Sequence, residues 1–181
     1  VIAVIWGVPA YNGLVTMDEN VNTEWANVET QYQRRADLIP NLVNTVKGYA
    51  AHESETLESV IAARSKATQI TIDPANLTPE KLAEYQEAQG AVTSALGKLL
   101  AISESYPDLK ANQNFLELQA QLEGTENRIN EARRKFNNVA KEYNTAIRRF
   151  PKSILAGMLG FDKRAYFEAA EGAQNAPVVE F

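Results

Sequence analysis

The chain has 181 residues, with 18 Lys and Arg against 23 Asp and Glu, one His and no Cys. That length suits one domain burying roughly 70% of its unfolded surface, and a hydrophobic content of 45% excludes a chain disordered by composition. The missing Cys removes disulfides, thiol nucleophiles and thiolate metal sites, while a single imidazole excludes a His-rich metal cluster and makes a Ser-His-Asp triad depend on one residue.

The net charge of −5 is unevenly spread. Val1 to Met17 carries no charge, Asp18 to Gln33 carries only the acids Asp18, Glu19, Glu24 and Glu29, and from Arg34 onward 18 bases face 19 acids. The opening run VIAVIWGVPAYNGLV supplies about fifteen apolar residues, where a spanning helix needs roughly 20. Residues 1–17 therefore read as the C-terminal part of a transmembrane helix that begins upstream, with Val1, Ile2, Val4, Ile5, Trp6 and Val8 as the anchor. Trp6 and Tyr11 suit the headgroup level, and Pro9 is tolerated as a kink or boundary. The competing readings are a buried helix of a soluble domain and the remnant of a cleaved signal.

From Asp18 to Phe150 the apolar residues recur at three and four, and no stretch alternates as a strand would. The stripes are Val21, Trp25, Val28 and Tyr32; Leu42, Val46 and Tyr49, then Leu57, Val60 and Ile61; Leu82, Tyr85, Gln89, Val92, Leu96 and Leu99; and Phe115 through Ile129, Phe136 and Tyr143 to Phe150. Pro40 pushes the preceding residue out of the helical region, so a first helix ends near 36–38. Asp73-Pro74 marks a turn, Thr78-Pro79 an N-cap with Pro in the first turn, and Pro107-Asp108 the opening of the last helix. The predicted helices span about 18–37, 40–69, 79–105 and 108–150, an all-α, antiparallel up-and-down four-helix bundle with long helices. The rival is one kinked helix from Asp18 to Gln69 in a three-helix arrangement. Gly124 inside the last helix reads as a point of close helix crossing, and Gly7 and Gly13 as aids to packing in a bilayer. Residues 151–181 read as a short helical segment, ILAGMLGF, and an extended tail, GAQNAPVVEF.

No catalytic constellation is visible: there is no phosphate-cradling Gly-rich loop, no G-x-S-x-G and no H-E-x-x-H. A di-metal bundle site needs two Glu-x-x-His pairs, and the lone His52 reads as an exposed helix residue. No catalytic residue, cofactor or metal ligand is assigned. Two polar clusters interrupt the stripes: Arg34, Arg35 and Asp37 with Asn41, and Glu126 and Asn127 with Arg133. They read first as an interhelical network that fixes register, and second as a groove for a small anion. Arg128 to Lys152 holds eight bases and two acids, but Phe136, Tyr143 and Phe150 lie seven apart as core positions, not stacking platforms, so no nucleic acid is expected. An up-and-down topology would set Arg148, Arg149 and Lys152 beside the acids of Asp18–Glu29 and close to the membrane, where ILAGMLGF could touch headgroups; charge pairing under an apolar lid is the plainer alternative.

The runs YNGLVTMDENVNTEWANVETQYQRRADLIPNLVNTVKGYAAHE and YPDLKANQNFLELQAQLEGTENRINEARRKFNNVAKEYNTAIRRFP, followed by GFDKRAYFEA, resemble the LemA family over nearly the whole chain from Tyr11. The resemblance implies one amino-terminal transmembrane helix, a helical-bundle domain and no established molecular activity; Arg34, Arg35, Asp37, Pro40, Asn41, Glu126 and Asn127 fall in its motifs without thereby forming a site. It also implies a cytoplasmic bundle, whereas the absence of Lys or Arg before Arg34 favours a periplasmic one. The expectation is a non-catalytic, membrane-anchored adaptor or scaffold of a bacterial envelope. Its expected contacts are lipid through the amino-terminal helix, a second copy, or an envelope protein. The alternatives are a self-assembling structural membrane protein, and a small-anion binder or enzyme at Arg34, Arg35 and Asn41.

Overall fold

The computed structural model describes residues 1–167. Helix α1 runs Ile2–Lys47, α2 Ser54–Gln69, α3 Pro79–Ser103, α4 Pro107–Lys110, α5 Gln113–Arg148 and α6 Lys152–Leu159, with a 3-10 turn at Pro74–Asn76. The chain is all-helical, with no strand among the described residues. The extended tail expected at GAQNAPVVEF lies outside them.

α1 corrects both expected boundaries at its ends. The helix does not stop near 36–38, nor does a separate segment end at 17; one helix of 46 residues, about 70 Å long, carries the apolar opening run into the body of the protein. The kinked Asp18–Gln69 rival fails as well, because the chain leaves the helix after Lys47 and re-enters at Ser54. Pro40 sits inside α1 without ending it. A proline at that place removes the bond to the carbonyl four residues back, which is that of Ala36. The Nε of Arg64, on α2, donates to this Ala36 carbonyl at 2.8 Å. A side chain from the next helix supplies the donor that proline lacks, a compensation invisible in local sequence. No helix of the described residues is long and apolar enough to cross a membrane.

Two further boundaries move for capping reasons. Thr78 caps α3 as its sequence position predicts, accepting from the Lys81 N–H at 3.2 Å. The last long helix, however, begins at Gln113, because Asn112 Oδ1 accepts from the Phe115 N–H at 3.0 Å, leaving Pro107–Lys110 as a separate turn of helix. α5 ends at Arg148, so Phe150 falls off the stripe; it is 81% exposed and not a core residue. Tyr49 and Ile61 are exposed too, whereas every predicted apolar position of α3 is buried.

The long helices alternate in direction. Arg35 meets Glu126 while Tyr49 meets Asn112 near the start of α5, so α1 and α5 run antiparallel. Arg64 of α2 reaches back to Ala36, and Tyr85 and Gln89 of α3 lie beside Tyr32 and Arg35 in rising order. The helices are unequal. α1 and α5 form a long pair, and α2 and α3 cover part of it. The apolar interior falls into two clusters. One gathers Leu14, Val21, Trp25, Tyr85, Phe136 and Tyr143, and the other Ile39, Leu42, Val60, Leu96, Leu99 and Phe115.

Candidate functional site

Arg35 lies between these two clusters, 1% exposed. Its helix position follows from the apolar stripe, since Tyr32, Ala36 and Ile39 at three-and-four spacing are buried with it. One guanidinium NH2 donates to Thr93 Oγ1 at 2.7 Å and Glu126 Oε1 at 2.8 Å, and the other to the Gln89 carbonyl and Gln89 Oε1, both at 2.8 Å. The guanidinium carbon also stands 5.1 Å from the Tyr32 ring centroid. Three helices thus converge on one fork of donors, the geometry for which Arg suits a buried pair and Lys does not.

Beside Arg35 lies a polar cavity of about 150 Å³ bordered by Glu29, Tyr32, Arg64, Tyr85 and Gln89. Arg35 Nε is buried with no acceptor among the described residues. A polar cavity of this size accommodates a few waters. Burial lifts the Glu29 carboxyl above the ordinary carboxylate range, and the Trp25 indole beside it opposes that shift. Burial also raises the phenols of Tyr32 and Tyr85, with the Glu29 charge adding to the effect at Tyr85.

The other predicted polar residues divide. Glu126 and Arg133 turn partly inward, Glu126 to Arg35 and Arg133 over the Phe167 ring at 4.5 Å. Arg34, Asp37, Asn41 and Asn127 are exposed. Asp37 accepts from Gln33 Nε2 at 2.8 Å, and Arg34 and Asp37 border an open groove between α1 and α5 with Gly124 and Arg128. The structure therefore does not bring Arg34 and Asn41 to Arg35, which undoes the grouping required of an anion groove at that junction. Gly124 faces open space rather than a close crossing, as do Gly7 and Gly13. His52 is exposed, in the turn before α2.

A second polar lock holds residues 161–167 against α5 and α1. Asn144 accepts from the Arg164 N–H and donates to the Arg164 carbonyl, each at 2.7 Å, and Asn137 does the same for Phe167 at 2.8 and 3.1 Å. The Arg164 guanidinium donates to Asp18 Oδ1 at 2.8 Å, and to Asn22 Oδ1 and the Pro74 carbonyl at 2.7 Å. The opening acids are thus met by Arg164 through Asp18, not by Arg148, Arg149 or Lys152; Arg148 Nε instead donates to the Asn144 carbonyl. Sequence reading missed Asn137, Asn144 and Arg164. For the two asparagines the signal was polarity just off an apolar stripe, Asn137 following the buried Phe136 and Asn144 the buried Tyr143, while Arg164 lies past the last helix and on no stripe.

The LemA family model matches residues 24–181, which takes in Arg35 with its partners and Asn137, Asn144 and Arg164, and leaves Asp18 and Asn22 outside. The chain belongs to the LemA family. Among relatives of this LemA-family chain, Magnetosome protein MamQ of Magnetospirillum gryphiswaldense is 29% identical over 93% of this chain and 68% of its own length. Magnetosome protein MamQ 2 of Paramagnetospirillum magneticum is 27% identical over the same shares, and Protein LemA of Metamycoplasma hominis is 26% identical over 88% of this chain and 69% of its own.

Proposed function

We propose that this LemA-family protein is a non-catalytic scaffold held to a membrane by the leading turns of α1, its body an up-and-down bundle offered to a partner protein of the envelope. The observation that carries this reading is the exposure of Val1, Ile2, Val4, Ile5 and Val8 on a charge-free stretch continuous with α1. Side chains so placed gain from burial in hydrocarbon and have no core of their own to enter. The polar interior supports a structural role: Arg35 spends its four terminal donors on helix-to-helix bonds, which leaves little for a reactant.

Flotation with vesicles of phosphatidylcholine and phosphatidylglycerol tests the anchor. The chain is expected to rise with the vesicles, and Ile2→Asn/Ile5→Asn/Val8→Asn to stay behind with an unchanged helical circular dichroism spectrum. A wild-type chain that stays behind overturns the anchor. Crosslinking in native membranes tests the scaffold, which requires repeated recovery of one envelope protein; recovery of this chain alone would point instead to self-assembly.

A further inference from the structure

α6 and the turn before it carry apolar side chains that the body does not bury. Phe150 is 81% exposed, Met158 78%, and Ile154 and Leu159 half exposed or more, whereas Ala156 on the opposite side packs into the core. These residues do not stand alone. The Tyr11 and Phe161 rings meet edge to face with centroids 5.9 Å apart, so α1 and the end of α6 are joined at the level of Tyr11. Trp6 and Met17 of α1 line one wall of a cleft of about 640 Å³, and Phe150, Pro151 and Lys152 line another. α6 therefore lies beside the leading turns of α1, with Phe150 and Lys152 facing Trp6 across the cleft at its start and Phe161 on Tyr11 just past its end. Gly160, at φ 75° and ψ 28°, stops α6 in the left-handed region, and the chain then turns back to seat Phe161 on Tyr11 and Arg164 on Asp18.

The charge around this face is mainly basic. Arg148 and Arg149 precede it, Lys152 opens α6, Lys141 borders the cleft and Lys163 follows the helix; among the described residues the acids nearby are Glu142 and Asp162, since Asp18 is held by Arg164. An apolar helix face rimmed by bases that form no ion pair among the described residues matches a bilayer surface, where acyl chains take the apolar side chains and anionic headgroups meet the bases.

We infer that α6, with Phe150, is a second membrane contact: a helix lying in the headgroup layer of anionic lipid beside α1, bracing the body against the bilayer. The inference rests on the anchor reading for its geometry, and α6 commits to lipid rather than to a protein because the patch joins the lipid-facing end of α1 and carries complementary charge.

The chain has no cysteine, so single ones can be placed for an environment-sensitive dye. Val4→Cys reports on α1, Met158→Cys on α6 and Glu58→Cys on the distant, exposed face of α2. With vesicles of phosphatidylcholine and phosphatidylglycerol at three to one, labels at 4 and 158 are expected to shift to the blue and to be quenched by brominated lipid, and the label at 58 is not. Label 4 immersed with label 158 in water overturns the α6 contact and leaves the anchor standing. Label 158 immersed with label 4 in water supports the α6 contact and removes the anchor. Neither immersed overturns both. A label at 158 that is already blue-shifted without lipid, and more so at higher protein concentration, assigns the face to a second copy and overturns the inference. Arg149→Gln/Lys152→Gln is expected to weaken partition to the anionic vesicles by tenfold or more and to leave pure phosphatidylcholine nearly unaffected; equal loss on both lipids overturns the electrostatic part.

Discussion

Arg35 shows how much one side chain contributes when it sits where two apolar clusters meet. Its four donors join α1 to α3 and α5 at a fixed level, and a slip of either partner would strand a buried charge. Arg35→Ala is expected to destabilise by about 1–3 kcal/mol, since it strips the buried Gln89 acceptors of their donors while the part-exposed Glu126 can turn to water; Arg35→Lys recovers only a minor part, having no planar fork. Urea denaturation checks both, and a Lys variant as stable as the parent would show that charge alone suffices. Glu29 gives a pH signature. Its folded pKa is raised by burial, so the unfolded state releases its proton first and stability falls as pH rises through the range between the ordinary carboxylate value and the raised one. Above that range the whole penalty is present. Glu29→Gln should therefore raise the melting temperature modestly at pH 7 and less at pH 4, the effect being small for a half-exposed group; equal shifts at both pH values would contradict it. At the alkaline end the Tyr143 hydroxyl, pushed up to about 12 by burial with Asp18 adding to it, makes stability fall above about pH 10.

Among the elements, α1 and the strap of residues 161–167 depend most on neighbours. Pro40 leaves the buried Ala36 carbonyl without its helical donor, and Arg64 replaces it from α2. Arg64→Ala should cost about 1–3 kcal/mol, the penalty for an unsatisfied buried acceptor. In a Pro40→Ala background that penalty should shrink, because the new N–H reaches the same carbonyl. A double-mutant cycle on thermal unfolding reads the coupling, and strict additivity would show that the Arg64 bond does not substitute for the missing donor. The strap is held through backbone atoms by Asn144 and Asn137. Asn144→Ala is expected to speed trypsin cleavage after Lys163 and Arg164 severalfold and to lower global stability by about 1–3 kcal/mol. Unchanged cleavage would place the hold elsewhere, in Asn137 or in Phe167, whose ring packs on Trp25 and Phe136.

On the scale of the whole molecule, the two apolar clusters leave the first turns of α1 outside. Nothing from Val1 to Pro9 is buried, whereas Leu14 and the stripe after it are. In lipid-free buffer the amides of residues 2–8 should exchange with deuterium near the rate of an isolated, fraying helix, and anionic vesicles should slow them at least tenfold. Protection in the absence of lipid would mean that another protein surface covers this end.

The division between chain and tertiary structure follows from the range of the forces involved. The three-and-four spacing settled the helices and nearly every core residue of α3 and α5, because burying a stripe is a local demand on a helix. The Thr78 cap was equally legible, its acceptor and donor lying three residues apart. Placing Arg35 and Glu126 among the polar interruptions was within reach too. Choosing Arg35 over Arg34 as the buried one needed the stripe of Val28 and Tyr32 to be carried on to Ile39, and ending the first helix near 36–38 at Pro40 cut that phase short. Pro40 misled because its local preference ends a helix, and it was overruled by Arg64, 24 residues further on, together with packing on both sides of the proline. The LemA motifs were readable as strings, but the pairing of Asn144 with Arg164 and the joining of α6 to the head of α1 exist only once the chain has folded back on itself. Hydrogen bonds across such separations leave no periodicity in sequence, and only tertiary structure decides them.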